Sequence, residues 1–271
     1  MPFFENKKIR LHYKESGSGL PFIFQHGLGA DVNQPFGLFR PPAGIRLIAL
    51  DARGHGQSET GPAEEISLSA SADDLVDLIK YLELPGAVLG GISMGAAIAL
   101  VFALRYPAKA LGLVLSRPAS LDRPNPFNQK MFALIARSIK TAGPEEGLRE
   151  FQELPVFKEL EREFPDTANS LSNQFKHPRA REMTINLSRI PNDWPLNDIE
   201  QARSTACPTL ILANKNDPIH PYEYGVRLAE AIPGAQFREI ASKSVDANLH
   251  LREVQQFIQE FLSQTFLGIP K

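Results

Sequence analysis

The sequence has very little cysteine and no long hydrophobic run. Cys207 is the only cysteine in 271 residues, so a disulfide framework within the chain is excluded. That usage is typical of a reducing compartment, and we predict a cytoplasmic location. No stretch reaches the roughly 18 apolar residues that a membrane-spanning helix needs. The first residues also lack the basic and apolar regions of a signal peptide. We therefore expect no membrane partner.

An excess of charge of one sign is also missing. The 29 basic and 31 acidic side chains leave a net charge of −2, which gives no basic field to attract nucleic acid. His-Glu-x-x-His, clustered Cys/His and carboxylate arrays at metal-ligand spacing are absent from the sequence, as are Gly-rich dinucleotide and Walker A motifs. We predict a small-molecule substrate, no metal and no cofactor; the oligomeric state is open.

The most informative motif present is G-x-S-x-G, formed by Gly91, Ser93 and Gly95. An apolar run precedes it and small residues follow it, so a strand should turn sharply at Ser93 into a helix. Such a turn exposes the serine hydroxyl at the sheet edge. It also directs the backbone N–H of Met94 toward the position of a developing oxyanion. The motif predicts a nucleophilic serine.

Strand and helix patterns alternate along most of the chain. Apolar strands are predicted at about residues 22–25, 45–50, 87–92, 111–115, 209–213 and 235–240, after a hairpin over 3–15 that turns near residues 5–8. Helical periodicity covers about residues 69–84, 94–105, 222–231 and 249–265. Near-continuous apolar strands alternating with helices indicate a doubly wound, mostly parallel α/β sheet.

Three motifs in order resemble the α/β-hydrolase family. His-Gly-Leu-Gly at 26–29 and Asp-Ala-Arg-Gly-His-Gly-Gln-Ser at 51–58 each follow an apolar strand, and the serine turn comes third. The resemblance covers nearly the whole chain. It implies a core domain formed by residues 1–120 and 204–271, with a helical cap over 121–203 inserted after the sixth strand. That segment is rich in proline and short amphipathic helical patterns.

The resemblance also implies the partners of Ser93. The family order Ser…Asp…His assigns the acid to Asp217, in the loop after the strand at 209–213, with Asp122 as the alternative. The backbone N–H groups of Leu28 and Met94 would form the oxyanion hole.

The base is assigned by elimination. Only His220 and His250 follow the acid in the sequence, and His220 is interpreted as pointing along its loop. His250 is therefore predicted as the base, although the loop 241–249 before it is longer than the family pattern. His26 and His55 are interpreted as structural residues.

The predicted activity is cofactor-free hydrolysis of a small, mainly apolar ester through Ser93, Asp217 and His250, with an acyl-enzyme intermediate. Hydrolysis of a C–C bond, perhydrolysis and a slow or non-catalytic sensor remain alternatives, because a fold does not determine function. Arg117 either binds a substrate carboxylate or, as we favour, pairs with an acid of the cap. Aromatic residues of the cap are expected to contribute to an apolar acyl site.

Overall fold

The computed structural model describes residues 2–6 and 9–268, and these form one eight-stranded sheet flanked by helices. The predicted turn of the first hairpin includes Lys7 and Lys8, which lie outside the described residues. The strands are β1 Phe3–Asn6, β2 Ile9–Gly17, β3 Leu20–Gln25, β4 Ile45–Leu50, β5 Ala87–Ile92, β6 Ala110–Ser116, β7 Thr209–Ala213 and β8 Gln236–Glu239. Their order in the sheet is β1-β2-β4-β3-β5-β6-β7-β8.

Only the pairs β1–β2 and β2–β4 are antiparallel; the others are parallel. Residues of the central strands β3, β5 and β7 are almost all buried, as expected for parallel strands covered on both faces. Gln25 pairs with Gly91, and Ile92 pairs with Ser116. The carboxyl ends of β3, β5 and β6 therefore meet at one edge of the sheet. The predicted mostly parallel α/β sheet is confirmed.

The described chain contains ten α-helices, of which the last follows the final strand. They are α1 Asn33–Leu38, α2 Leu68–Tyr81, α3 Met94–Arg105, α4 Pro126–Ala142, α5 Pro144–Glu153, α6 Pro155–Glu163, α7 Pro165–Phe175, α8 Ala180–Arg189, α9 Tyr222–Ala231 and α10 Ala247–Phe266. The helix predicted over 69–84 ends three residues early, because Glu83 takes a positive φ of 54°. Among the described helices, none is long and apolar enough to cross a bilayer.

Two hydrophobic clusters cover the two faces of the sheet. Residues of α2 and α3 pack in one cluster with side chains of the sheet. Residues of α10, such as Val254 and Phe261, pack on the other face with Phe22 and Phe24 of β3. Burial from both sides holds the strand ends rigidly, which gives the loops at that edge a stable base.

Helices α4–α8 lie between β6 and β7 and form most of a third hydrophobic cluster, which Ile219 from the loop after β7 joins. Four of these helices begin with a proline, at Pro126, Pro144, Pro155 and Pro165. Proline suits the first helical turn, where its missing N–H would have no partner. The recurrent prolines of this segment therefore separate short helices. The division into core and cap domains remains a prediction.

A buried ion pair joins α2 to the loop after β4, and it yields a stability prediction. Asp74 accepts hydrogen bonds from Nε and Nη2 of Arg53, at 2.7 and 2.8 Å, and from Asn6 Nδ2. Asp74→Ala should lower the free energy of unfolding by about 3–5 kcal/mol, because it leaves a buried guanidinium without this carboxylate. Asp77→Ala is the control on the same helix, since Asp77 pairs with the exposed Lys80. A change of at most about 1 kcal/mol is expected there. Urea unfolding measures both; equal losses would contradict the prediction.

Candidate active site

Ser93 lies at a sharp turn between β5 and α3. Its backbone has φ 58° and ψ −113°, a conformation that non-glycine residues rarely adopt. The turn is closed tightly, because a Cβ added to Gly91 would lie 2.3 Å from the carbonyl carbon of Gly95. The Ser93 N–H donates to the carbonyl of Ser116 at 3.0 Å, which ties the turn to β6. The predicted sharp turn from strand to helix is confirmed.

The loop after β3 lies beside this turn. Gln34 Oε1 accepts a hydrogen bond from the Gly27 N–H at 2.8 Å, and Gln174 Nε2 donates to the carbonyl of Leu28 at 3.3 Å. His26 donates from Nδ1 to the carbonyl of Gly27 and accepts from the N–H of Ala52 at Nε2. Both bonds go to the backbone, as predicted for a structural histidine.

The other histidine assigned a structural role, His55, is also buried. Its Nδ1 contacts the carbonyl of Arg53 at 3.1 Å, and its ring centre lies 4.9 Å from that of His26. Burial strongly lowers the pKa of His55, with the neighbouring His26 as a further cause, so this ring is neutral near pH 7. Its packing in the loop is as predicted.

Above Ser93 lies a cavity that is partly open to solvent. Ser93, Leu28, Met94 and His220 all line it. Its further apolar side chains include Ile92, Phe132, Ile190 and Ile219, and its polar ones include Gln34, Arg117, Asn125, Asn128 and Gln174. The lining is more polar than the sequence predicts.

Asp217, in the loop after β7, is a strong acceptor in contact with two residues that line this cavity, His220 and Arg117. Its Oδ2 accepts hydrogen bonds from Nδ1 of His220 at 2.8 Å and from Nη1 of Arg117 at 3.2 Å. Its Oδ1 accepts a hydrogen bond from the backbone N–H of His220. Burial alone would raise the pKa of Asp217, but His220 and Arg117 outweigh it and hold this pKa well below its usual range. The carboxylate is therefore ionised at any pH near neutrality.

His250 occupies a different position from His220. It lies in the first turn of α10, is 1 % exposed, and contacts the carbonyl of Ala241 through Nδ1 at 2.8 Å. It is not among the residues that line the cavity above Ser93. Burial, with help from Arg117, lowers the pKa of His250 to about 3. Its role as the base remains a prediction, and the histidine that contacts Asp217 in the described chain is His220.

Sequence reasoning missed the contact between His220 and Asp217. The signal for it was the three-residue spacing in Asp217-Pro218-Ile219-His220, since an aspartate in a tight turn readily bonds groups two or three residues ahead. Asp122, the alternative acid, instead bonds Arg227 Nη2 at 2.8 Å.

Arg117 is a buried cation next to the candidate acid. It follows β6 with a positive φ of 51°. Besides Asp217, its Nη1 lies 3.9 Å from Asp166 Oδ2 at the start of α7. The predicted pairing with an acid of the inserted helices is therefore present, but the shorter contact is to Asp217. Its buried Nε has no hydrogen-bond partner within the described chain.

The aromatic residues of the inserted helices mostly face away from the cavity. Phe132 is the only one of them among the lining residues. Phe151, Phe157 and Phe175 pack in the cluster that joins these helices. Trp194 is 41 % exposed and lines a separate surface depression. Across the described residues, no group of three His, Cys, Asp or Glu side chains gathers in a way that could hold a metal ion.

Comparison with known proteins identifies the family of this chain. Residues 21–243 match the family model described as the alpha/beta hydrolase fold. The chain belongs to the α/β-hydrolase family, and the prediction of a hydrolase enzyme is confirmed.

Curated relatives and solved structures extend the match over most of the chain. The AB hydrolase superfamily protein YisY of Bacillus subtilis is 28% identical over 255 residues, covering 84% of this chain and 87% of the relative. A 2-hydroxy-6-oxononadienedioate/2-hydroxy-6-oxononatrienedioate hydrolase of Paraburkholderia phymatum is 25% identical, covering 95% and 92%. A thermophilic esterase of Thermogutta terrifontis is 25% identical, with a TM-score of 0.68 over 96% of this chain and 93% of that one. The similarity thus includes both ester and C–C bond hydrolases.

Proposed function

We propose that this protein is a cofactor-free serine hydrolase that acts on a small ester. Ser93 attacks the carbonyl carbon, a histidine takes the serine proton, and Asp217 orients that histidine. The backbone N–H groups of Leu28 and Met94 stabilise the oxyanion, and water then releases the acyl group from Ser93. The observation that carries the proposal is the strained turn that presents Ser93 to a cavity shared with Leu28, Met94 and His220.

The two oxyanion donors are supported by their backbone positions. Met94 is the first residue of α3, so its N–H has no acceptor within the helix. Leu28 follows β3 in a loop held by Gln34 and Gln174. Donors fixed before the reaction stabilise a developing negative charge without a reorganisation cost.

The activity test combines labelling with hydrolysis. A fluorophosphonate probe should modify Ser93, and the protein should hydrolyse p-nitrophenyl butyrate. A protein that is neither labelled nor active on a panel of short esters would contradict the proposal. Binding of small molecules without turnover would favour the sensor alternative, and peroxide-dependent formation of a peracid would favour perhydrolysis.

The cavity predicts an optimum in acyl-chain length. Each well-buried methylene contributes about 0.8 kcal/mol, so kcat/KM should rise from acetate to a medium chain and then fall. Phe132 closes part of the apolar lining, and Phe132→Ala should shift the optimum to a longer chain. The optimum is measured as kcat/KM for p-nitrophenyl esters of increasing acyl-chain length, with both the wild-type protein and the variant. A flat profile in both proteins would contradict an enclosed acyl site.

A second candidate is hydrolysis of a C–C bond in a carboxylated diketone-like compound. The buried Arg117 in the cavity lining favours it, because its Nε lacks a partner within the described chain and could bind a carboxylate. A relative of Burkholderia cepacia, 26% identical, is named a 2-hydroxy-6-oxo-6-phenylhexa-2,4-dienoate hydrolase. If the protein hydrolyses that dienoate with a kcat/KM well above its kcat/KM for p-nitrophenyl butyrate, this candidate is favoured over ester hydrolysis.

The pH dependence of kcat/KM gives a further prediction. Burial is the largest cause that lowers the pKa of both candidate bases, His220 and His250. The base acts in its neutral form, so activity falls as the pH drops through the histidine pKa. Because that pKa lies below 6.5, the acid limb should have its midpoint below pH 6.5. A midpoint clearly above 6.5 would contradict a base in this environment.

A further inference from the structure

We propose that His220 is the general base that takes the proton of Ser93 and that Asp217 positions its ring. The inference rests on the proposed serine-hydrolase function and deepens it. It assigns to His220 the role that the sequence pattern gives to His250. His220 and Ser93 line the same cavity, and Nδ1 of His220 lies 2.8 Å from Asp217 Oδ2.

The hydrogen bond to Asp217 determines which nitrogen of His220 is available. An ionised carboxylate is an acceptor only, so Nδ1 of the neutral ring carries the hydrogen and donates it. Nε2 then keeps its lone pair. This is the arrangement a general base needs, with a carboxylate on one nitrogen and a free acceptor on the other.

The loop that carries His220 is held firmly from two sides. The backbone N–H of His220 donates to Oδ1 and to the carbonyl of Asp217. Asn128 Nδ2 of α4 donates to the carbonyl of Ile219 at 2.9 Å, and Nδ2 of Asn125, which caps α4, lies 3.4 Å from the Pro218 carbonyl oxygen. The buried Ile219 side chain packs into the cluster of the inserted helices. The ring is therefore preorganised by both the acid and α4, which is a requirement for effective proton transfer.

His220 alone can carry the proton in both halves of the reaction. As the bond from Ser93 Oγ to the carbonyl carbon forms, the hydroxyl proton moves to His220 Nε2 and the carbonyl π electrons move to oxygen. The imidazolium is stabilised by Asp217. When the oxyanion collapses, the bond to the leaving alkoxide breaks and the Nε2 proton passes to that oxygen. Water repeats the sequence on the acyl-enzyme, giving the carboxylic acid and free Ser93.

His250 is less suited to the same task. Its Nδ1 faces the carbonyl of Ala241, a neutral partner that stabilises an imidazolium less than a carboxylate does. Arg117 and Lys243 lie close enough to disfavour a positive charge there, and they outweigh the attraction of Asp217. A ring whose pKa is about 3 is a weak base near neutral pH.

The charged groups around His220 are more balanced. Burial lowers its pKa and Asp217 raises it, while Arg117 and Lys243 lower it. Asp217 is the second-largest influence on this ring but the smallest of those named for His250. The carboxylate therefore favours proton uptake by His220 more than by His250.

The experiment exchanges each histidine for asparagine. His220→Asn retains a donor that can reach Asp217 but has no basic nitrogen, so it preserves the loop contact and removes the base. We expect kcat for p-nitrophenyl butyrate to fall by about 10²–10⁴-fold, the usual contribution of general acid–base catalysis. The rate of fluorophosphonate labelling at Ser93 should fall in parallel. The fold-loss of kcat in His250→Asn should be smaller than the fold-loss in His220→Asn by a factor of at least about ten.

His177→Asn is the matched control. His177 is half-buried, accepts from the Arg179 N–H through Nδ1, and lies outside the lining of the Ser93 cavity. An asparagine carbonyl can accept the same bond, so kcat should stay unchanged. Melting temperatures of all three variants identify any loss of folding. If His220→Asn is unstable, added imidazole should restore part of the activity of His220→Ala, which a purely structural role would not allow.

Two results would overturn the inference. One is near-native kcat in a folded His220→Asn protein. The other is a loss in His250→Asn that equals or exceeds the loss in His220→Asn. In either case the proposed function stands if Ser93→Ala still abolishes turnover. If the wild-type protein shows no hydrolysis that depends on Ser93, the proposed function itself fails.

Discussion

Ser93→Ala should abolish hydrolysis, with kcat lowered by about 10⁴–10⁶-fold. The expected loss is this large because the Ser93 hydroxyl itself forms the bond to the substrate carbonyl carbon. Ester hydrolysis and mass spectrometry of the fluorophosphonate adduct measure the result. Ser120 also lines the cavity, so Ser120→Ala tests whether a neighbouring serine accepts the label. We expect that variant to keep the adduct on Ser93.

The same variant reveals whether the nucleophile and base act as a unit. If they do, Ser93→Ala combined with His220→Asn should be little worse than Ser93→Ala alone, because the base has no serine to activate. If the loss of kcat in the double variant equals the product of the two single-variant losses, Ser93 and His220 act independently. Asp217→Asn should also lower kcat strongly, since its amide favours the wrong tautomer of the histidine.

The sheet and the serine turn could be predicted because their signals are local. Apolar runs such as Ala87–Ile92 indicate buried strands, and the glycines around Ser93 permit the close approach that the turn requires. The start of α10 was predicted from the sequence to within two residues. Asp246 accepts from the Leu249 N–H as a helix cap, so the helix begins two residues before the predicted start at 249.

The orientation of the histidines could not be read from the sequence. His220 turns toward Asp217 in a loop whose carbonyls bond Asn125 and Asn128, residues more than 90 positions earlier in the chain. No periodicity or spacing reports such a contact. His250 follows Asp217 in the order expected of a base, but order alone does not reveal that its Nδ1 meets the Ala241 carbonyl.

The lining of the cavity was predicted less well for a similar reason. Aromatic residues between β6 and β7 have helical spacing, which shows that they face something apolar. It does not distinguish the contacts among the inserted helices from the contacts with substrate. Phe132, Phe151 and Phe175 all belong to the helical cluster, and of these three only Phe132 also lines the cavity. Polar residues such as Arg117 and Gln174 complete the lining.

Gly95→Ala is expected to lower both stability and catalysis strongly. A Cβ at Gly95 would lie 2.4 Å from the carbonyl oxygen of Gln25 and 2.8 Å from that of His26. Both neighbours are backbone atoms at the end of β3, so α3 and the loop that carries Leu28 would have to move apart. That displacement separates the two proposed oxyanion donors, each of which is worth about 10²–10³-fold in kcat.

Gly37→Ala is the matched control for this exchange. Gly37 is also helical, but a Cβ there meets no atom within 4 Å. Alanine is favoured over glycine in helices by about 1 kcal/mol, so helix propensity alone predicts no loss at either site. We expect Gly37→Ala to retain its melting temperature and kcat, and Gly95→Ala to lose several degrees and at least about 100-fold in kcat. Native kcat in Gly95→Ala would mean that α3 and the end of β3 can separate without disturbing the reaction, and the proposed roles of Leu28 and Met94 would then be wrong.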